Sequence, residues 1–234
     1  MDQSIIKILQ QYGSLDAETM LTHGLERFKG RIALASSMAA EDQVLTDMVC
    51  RLDPGVKVFT LDTGRLPEET YELIDRTRRH YGIDIQMYFP ESSEVERLTA
   101  KGPNLFFESV EQRKQCCFIR KVQPLKRALA GLEAWICGLR KEQSPTRERL
   151  EPVQWDSPFG LIKLSPLAEW TTEQVWEYIR QHNVPYNALH DKGYTSIGCA
   201  PCTRAIRDGE HVRDGRWWWE LPEHKECGLH LNNH

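Results

Sequence analysis

Arg31-Ile32-Ala33-Leu34-Ala35-Ser36-Ser37-Met38-Ala39-Ala40-Glu41-Asp42 is the stretch whose reading decides the fold. Arg31 to Ser36 reads as a buried strand. Small and polar residues follow, and Val44, Leu45, Met48, Val49 and Leu52 then recur at helical spacing. The same alternation continues along the chain. Val56 to Leu61 reads as a second strand. Pro67, whose fixed φ suits a first turn, opens a helix to about Tyr81. Ile83 to Tyr88, Ala134 to Cys137 and Leu161 to Leu164 read as further strands, and Cys116 to Leu129 as helix, with Pro124 opening or bending it. Thr171 to Gln181 is a helix with Thr171 as N-cap and Gln174 completing a capping box. Strands separated by helices predict an α/β fold, a mostly parallel sheet with helices on both faces.

Ligands of such sheets sit outside the carboxyl ends of the strands. The loop Ser36 to Asp42 lets backbone approach an anion at a helix N-terminus. A plain strand-to-helix turn with a serine cap explains it equally well. It lacks the G-x-x-x-x-G-K-[ST] of a nucleoside-triphosphatase loop. In Leu61-Asp62-Thr63-Gly64-Arg65, Asp62 can accept from a ribose or a base amine, and Gly64 permits a tight turn. The loop Gly138 to Arg147 concentrates Arg140, Lys141 and Arg147 at the end of the fourth strand. Arg204, Arg207, Arg213 and Arg216 add cations further on, and arginine suits forked contacts with phosphate or sulfate.

The net charge of −4 argues against general nucleic-acid binding, while leaving room for a small anionic ligand on these loops. A chain of 234 residues at 40% hydrophobic can bury a full core. No segment approaches the roughly 18 apolar residues of a membrane span. Met1-Asp2-Gln3-Ser4 shows no signal-peptide pattern, so a cytoplasmic location is expected, where disulfides are not the default use of cysteine. From about Ala205 the apolar periodicity fails. Gly209, Arg213, Gly215, Arg216 and Trp217-Trp218-Trp219 suggest a tail, mobile or folded over the site. The expected division is a body over 1–204 and a tail over 205–234.

Five of the seven cysteines form a pattern: Cys116-Cys117, the C-x-x-C of Cys199 and Cys202, and Cys227 in Glu226-Cys227-Gly228-Leu229-His230. Four thiolates can hold zinc or an iron–sulfur cluster. Adjacent side chains point apart in regular structure, so a vicinal pair of ligands needs a local distortion, and a [4Fe–4S] cube accommodates that pair better than one zinc ion. Cys50 and Cys137 lie on apolar faces and read as core. Cys227, next to Lys225 and His230 in a polar context, is a candidate nucleophile, because nearby cations raise thiolate character.

Taken together, Ser36 to Leu45, Leu61 to Arg65, Cys116-Cys117-x-x-Arg120-Lys121, Arg140 to Arg147, Gly193 to Arg204, Gly215 to Glu220 and Glu226 to His230 resemble the adenylyl-sulfate reductases of sulfate assimilation, in the phosphoadenylyl-sulfate reductase family. Ala39-Ala40 stands where family members often carry a glycine. The resemblance implies an adenine-nucleotide alpha-hydrolase-like fold of the PP-loop type. It implies reduction of adenosine 5′-phosphosulfate to sulfite and AMP, with thioredoxin or a glutaredoxin as donor and a cysteine S-sulfonate on Cys227. By carry-over, Cys116, Cys117, Cys199 and Cys202 bind a [4Fe–4S] cluster, and Lys121 lies between it and the substrate. Arg140, Arg147, Arg213 and Arg216 hold the phosphosulfate, and Ser36, Ser37, Asp42, Asp62 and Gly64 line the nucleotide pocket. Three rival readings stand beside it: reduction of the 3′-phosphorylated nucleotide, an ATP-cleaving adenylyltransferase of similar fold, and a zinc module that binds a partner protein. A homo-oligomer is compatible with the sequence.

Overall fold

The computed structural model describes residues 3–144, 147–221 and 225. Two helices, α1 (Gln3–Tyr12) and α2 (Ala17–Arg27), precede the first strand, β1 (Ile32–Ala35). Then follow α3 (Ala40–Leu52), β2 (Lys57–Leu61), α4 (Glu68–Tyr81), β3 (Ile85–Tyr88) and α5 (Ser92–Thr99). The chain continues through α6 (Val110–Cys117), α7 (Gln123–Leu129), β4 (Ala134–Ile136), β5 (Val153–Asp156), β6 (Leu161–Leu164) and α8 (Thr172–His182). Each strand expected from the apolar runs is present. The addition is β5, a short edge strand between Pro152 and Ser157.

The strands form one sheet in the order β3-β2-β1-β4-β6-β5. The β1–β2, β1–β4 and β4–β6 pairings are parallel, and β5 on β6 is antiparallel. Central strands of a parallel sheet are covered on both faces, which is why their runs are continuously apolar rather than alternating. Ala33, Leu34, Ala134 and Ile136 are accordingly fully buried. Lys163 in β6 is buried as well, and its ammonium lies 5.4 Å from the centre of the Trp135 ring across the β4–β6 register. The chain leaves β1 toward β2 on one side, whereas β4 pairs on the other. The switch in strand order therefore falls between β1 and β4, where this class of sheet binds its ligands.

The residues group into two compact units. The first comprises Met1–Thr60, Thr70–Gln86 and Gly131–Asn187 and carries most of the sheet. Here α8 has its reciprocal cap: Gln174 N–H donates to Thr171 Oγ1 at 3.2 Å and Thr171 N–H to Gln174 Oε1 at 2.8 Å. The second comprises Leu61–Glu69, Met87–Ala130 and Ala188–His234. It holds the helices α5, α6 and α7, and between α6 and α7 a π-helical turn, Phe118–Val122. Pro124 stands at the opening of α7. Within this unit the stretch from Ala205 to Leu221 is folded in: Trp217 is buried and packs with Phe106, Cys199 and Cys202. Cys227 lies outside the described residues. Among the described residues, no helix is long and apolar enough to cross a membrane.

Candidate functional site

In the first unit, the loop after β1 is organised by Asp42. Ser37 N–H and Ser37 Oγ donate to Asp42 Oδ2 at 2.7 and 2.5 Å. Gly138 N–H, from the loop after β4, donates to Asp42 Oδ1 at 2.9 Å. One carboxylate thus joins the two loops that flank the switch point. A side chain at position 138 would collide with it, since a Cβ there would lie 2.4 Å from Asp42 Oδ1. Burial, the largest influence, pushes the Asp42 carboxyl up to about 6, against the opposing pull of the Ser37 and Gly138 donors. Ser36 is buried, and its hydroxyl accepts from Met38 N–H at 3.2 Å. Met38 takes φ 62, a left-handed conformation that a side chain adopts at some cost. The N-cap of α3 is Ala39, which forms no side-chain cap, so the serines cap nothing here. The sequence signal for a serine-capped turn gives way to a loop held by Asp42.

Arg140 is almost fully buried, and its five guanidinium N–H groups all have partners. Nε and Nη2 donate to Glu41 Oε1 at 3.0 and 2.8 Å, and Nη1 to Glu142 Oε2 and Trp170 O at 2.9 and 3.0 Å. Nη2 also reaches Thr172 Oγ1 at 3.2 Å. In this structure Arg140 fastens the first turn of α3 to the start of α8. Arg147 is buried and donates to Gln143 Oε1.

The second unit gathers the four cysteines. Cys116 and Cys117 close α6, and the helix widens into its π turn immediately after them, with Gln123 N–H donating to Phe118 O. The pair itself stays in regular α-helix, and the π turn begins at Phe118. It brings Cys116, Cys117, Arg120 and Lys121 to the lining of one cavity. Cys199 and Cys202 bracket a 3₁₀ turn, Ala200–Cys202, which is fixed by Ala200 N–H donating to Arg65 O at 2.8 Å. Both line the same cavity. Thr63 Oγ1 lies 3.2 Å from Cys199 Sγ. Asp62 Oδ1 accepts Gly64 N–H at 2.7 Å and closes the turn in which Gly64 has φ 70. Burial raises the Cys116 thiol above its ordinary value and pushes Cys202 up to about 12, with the neighbouring Cys199 adding to the latter.

Five cations line this cavity beside the thiols: Arg65, Arg113, Arg120, Lys121 and Arg216. Arg113 is wholly buried and forks onto Glu220 at 2.9 and 2.8 Å. Arg120 Nη1 donates to Thr63 O at 2.6 Å, and the Arg120 charge opposes the rise of the Cys116 thiol. Arg216 reaches Cys202 O and Ile197 O at 3.3 and 3.2 Å. Trp217 lies among the guanidinium groups of Arg113, Arg216 and Arg213, at 4.7, 4.6 and 5.7 Å. Gly198 gives Arg216 its room, since a Cβ there would fall 2.3 Å from Arg216 Nη2. Arg213 donates to Lys225 O at 3.1 Å. Arg204 is committed to Glu210 through two bonds of 2.7 and 2.8 Å.

The structure thus unites the cysteine quartet with Lys121 and Arg216 in the second unit and places Ser36, Ser37, Asp42, Arg140 and Arg147 in the first. Sequence reasoning missed Arg113, Phe106, Thr63 and Gly198. Arg113 has no local signal, because its partner Glu220 lies 107 residues away. Among the described residues, no three His, Cys, Asp or Glu donors converge on a point that one metal ion could occupy. The four thiols line one cavity.

Comparison with known proteins matches the phosphoadenosine phosphosulfate reductase domain to residues 31–205. An adenosine 5′-phosphosulfate reductase of Allochromatium vinosum is 55% identical over 200 residues, which covers 85% of this chain and 78% of the relative. One from Burkholderia cepacia is 51% identical over 86% of this chain and 81% of its own. Among solved structures, the phosphoadenylyl-sulfate reductase of Candida auris superposes with a TM-score of 0.72 at 26% identity, covering 88% of this chain and 98% of that one. With the domain matched over most of its length and relatives identical at more than half of the aligned positions, the chain belongs to the phosphoadenosine phosphosulfate reductase family.

Proposed function

We propose that this chain reduces adenosine 5′-phosphosulfate to sulfite and AMP in assimilatory sulfate reduction, through an S-sulfonate on Cys227, with thioredoxin or a glutaredoxin as dithiol donor. The observation that carries this reading is the convergence of Cys116, Cys117, Cys199 and Cys202 on one cation-lined cavity. The names of the relatives above support it.

The residues present fit a [4Fe–4S] cluster. The four thiols line one cavity. Two buried donors in its lining, Arg120 Nε and Trp217 Nε1, have no acceptor among protein atoms, and N–H groups of this kind suit thiolate or sulfide sulfur. Cys116, Cys117, Cys199 and Cys202 would hold the cluster and release protons on loading, since burial keeps Cys116 and Cys202 protonated in its absence. When bound, it supplies electrostatic polarisation beside the sulfate, while the reducing electrons come from the dithiol donor.

The protein's own groups account for the chemistry. The Cys227 thiolate attacks the sulfate sulfur, the S–O bond to AMP breaks, and AMP leaves with that electron pair. A donor thiolate then attacks Cys227 Sγ, and sulfite departs with the S–S electron pair. The donor's second thiol closes its disulfide, so the donor is oxidised by two electrons and the substrate sulfur reduced by two. Thiolate and sulfate repel by about 4 kcal/mol at ~4 Å and an effective dielectric near 20. Lys121, Arg213 and Arg216 supply cations that offset a term of this size and stabilise charge on the leaving phosphate. Arg147 adds to phosphosulfate binding, and Arg140 contributes by holding Glu41 at the start of the nucleotide loop. In the first unit Ser36 and Ser37, shaped by Asp42, serve the nucleotide, and in the second unit Asp62 and Gly64 do so. None of the six cysteines among the described residues is in a disulfide, which suits a reducing compartment, and we place the reaction in the cytoplasm.

A second reading, use of the 3′-phosphorylated nucleotide, is favoured by the matched domain and the Candida auris neighbour, both named for that substrate. The cysteine quartet favours the unphosphorylated one. Steady-state sulfite release with each nucleotide decides between them. The expected result is brown protein with four irons per chain, turnover of adenosine 5′-phosphosulfate, and none in Cys227→Ser with its iron retained. Colourless, active protein would overturn the cluster, and an active Cys227→Ser variant would overturn the nucleophile.

A further inference from the structure

We propose that Asp42 is a positioning residue for the nucleotide: its ionised carboxylate fastens the loop after β1 to the loop after β4, so that nucleotide affinity follows its charge. The inference rests on the reading of the switch point as the nucleotide's place. Both oxygens of Asp42 face donors. Ser37 N–H and Ser37 Oγ meet Oδ2, and Gly138 N–H meets Oδ1. A proton on either oxygen would confront one of these donors, and an asparagine would turn its NH₂ on one of them. In both cases one side of the link is lost. The two loops are also in close contact: a Cβ at Gly138 would lie 2.9 Å from Glu41 Cβ and 3.1 Å from Asp42 N. Asp42 is buried beneath them and acts on the nucleotide through Ser37 and Gly138, without touching it.

The ionisable groups around Asp42 leave its charge to burial. Glu41, its neighbour on α3, is paired with Arg140 at 2.8 Å. Cys137, the residue before Gly138, has a thiol that burial raises, so it stays neutral, and Lys163 of β6 acts on that thiol. β1 carries no ionisable residue. α2 and α8 present theirs farther along α3, where Tyr178 donates to Asp47 at 2.6 Å and Glu18 acts on Arg51. Burial, the largest influence, holds the Asp42 carboxyl up at about 6 against the pull of its donors. A carboxyl poised there is mostly ionised at pH 7.5 and mostly protonated at pH 5. Its ionisation therefore lowers fold stability while it tightens the link between the loops, and the two effects of one charge run in opposite directions.

The test measures AMP binding by wild-type and Asp42→Asn holoprotein at pH 5 and pH 7.5, with urea unfolding of both proteins at the same two values. Titration of the AMP phosphate is common to the two proteins and cancels in the ratio of their dissociation constants. At pH 7.5 Asp42→Asn should bind AMP about tenfold more weakly, the scale of one charge-assisted hydrogen bond. At pH 5 the deficit should shrink to about twofold, because wild type is then mostly protonated itself. The stability of Asp42→Asn relative to wild type should move the other way and rise from pH 5 to pH 7.5. A merely structural role would move relative affinity and relative stability together. A deficit that does not change with pH, equal affinities at pH 7.5, or relative affinity and stability that rise together would overturn the proposal alone. Folded wild type that binds no AMP would overturn the nucleotide reading of the switch point, and the proposal with it.

Discussion

Replacing Glu220 by leucine isolates the energetic centre of the cysteine cavity. Arg113 and Glu220 have side chains 0% and 3% exposed, and their fork has two bonds of 2.9 and 2.8 Å. Removing the carboxylate leaves a guanidinium buried against Trp217 and Cys117 with its charge uncompensated. Breaking a buried pair on one side costs about 3–5 kcal/mol. A matched control in the same unit is Lys192–Glu69, with side chains 60% and 25% exposed, where Glu69→Leu should cost at most about 1 kcal/mol. With a urea slope of about 2–3 kcal/mol per M, the midpoint should fall by about 1–2 M for Glu220→Leu, and by less than about 0.5 M for Glu69→Leu. Urea titration followed by tryptophan emission, at fixed cluster content, gives both numbers. The double variant Arg113→Met/Glu220→Leu should recover much of the loss, because apolar groups of similar volume can replace a buried pair. Equal shifts for Glu220→Leu and Glu69→Leu would refute the claim that the pair is buried and structural.

Asp42 sets a pH dependence. Its carboxyl rises from 3.8 to about 6 on folding, so the folded state holds the proton more tightly, and the stability tied to it is present below pH ~4 and lost as pH rises through ~6. Asp42→Asn cannot titrate, and its stability relative to wild type should rise by about 2–3 kcal/mol between pH 4 and 7, measured by urea unfolding at both values. Gly198→Ala drives a Cβ into Arg216. It should lower retained iron per chain, with the nucleotide loop of the first unit unaffected as judged by AMP binding. Thr171→Ala removes the cap of α8 and should cost about 1 kcal/mol, read as a thermal midpoint lower by a few degrees with unchanged turnover.

Strand positions were legible because the runs Ile32–Ala35, Val58–Leu61 and Leu161–Leu164 are locally apolar and fully covered strands need nothing else. β5 was not, since Val153-Gln154-Trp155-Asp156 between two prolines has no pattern longer than one alternation and acquires its register only from β6. The capping box of α8 was readable in four residues, whereas the π turn that follows Cys116-Cys117 was not. The surroundings of the thiols were not readable. Arg113 meets Glu220 across 107 residues, and Thr63 meets Cys199 across 136. Such pairings depend on how the chain returns to itself, not on any local spacing. Nor could a sequence display the Glu41, Glu142, Trp170 and Thr172 contacts that engage all five donors of Arg140.

The most direct test of the account is intact and peptide mass spectrometry of the holoprotein mixed with adenosine 5′-phosphosulfate in the absence of any thiol. The account predicts one added SO₃ per chain, located on Cys227 and removed by thioredoxin with stoichiometric sulfite. Sulfite formation with no modified Cys227, or SO₃ carried by another cysteine, would contradict it.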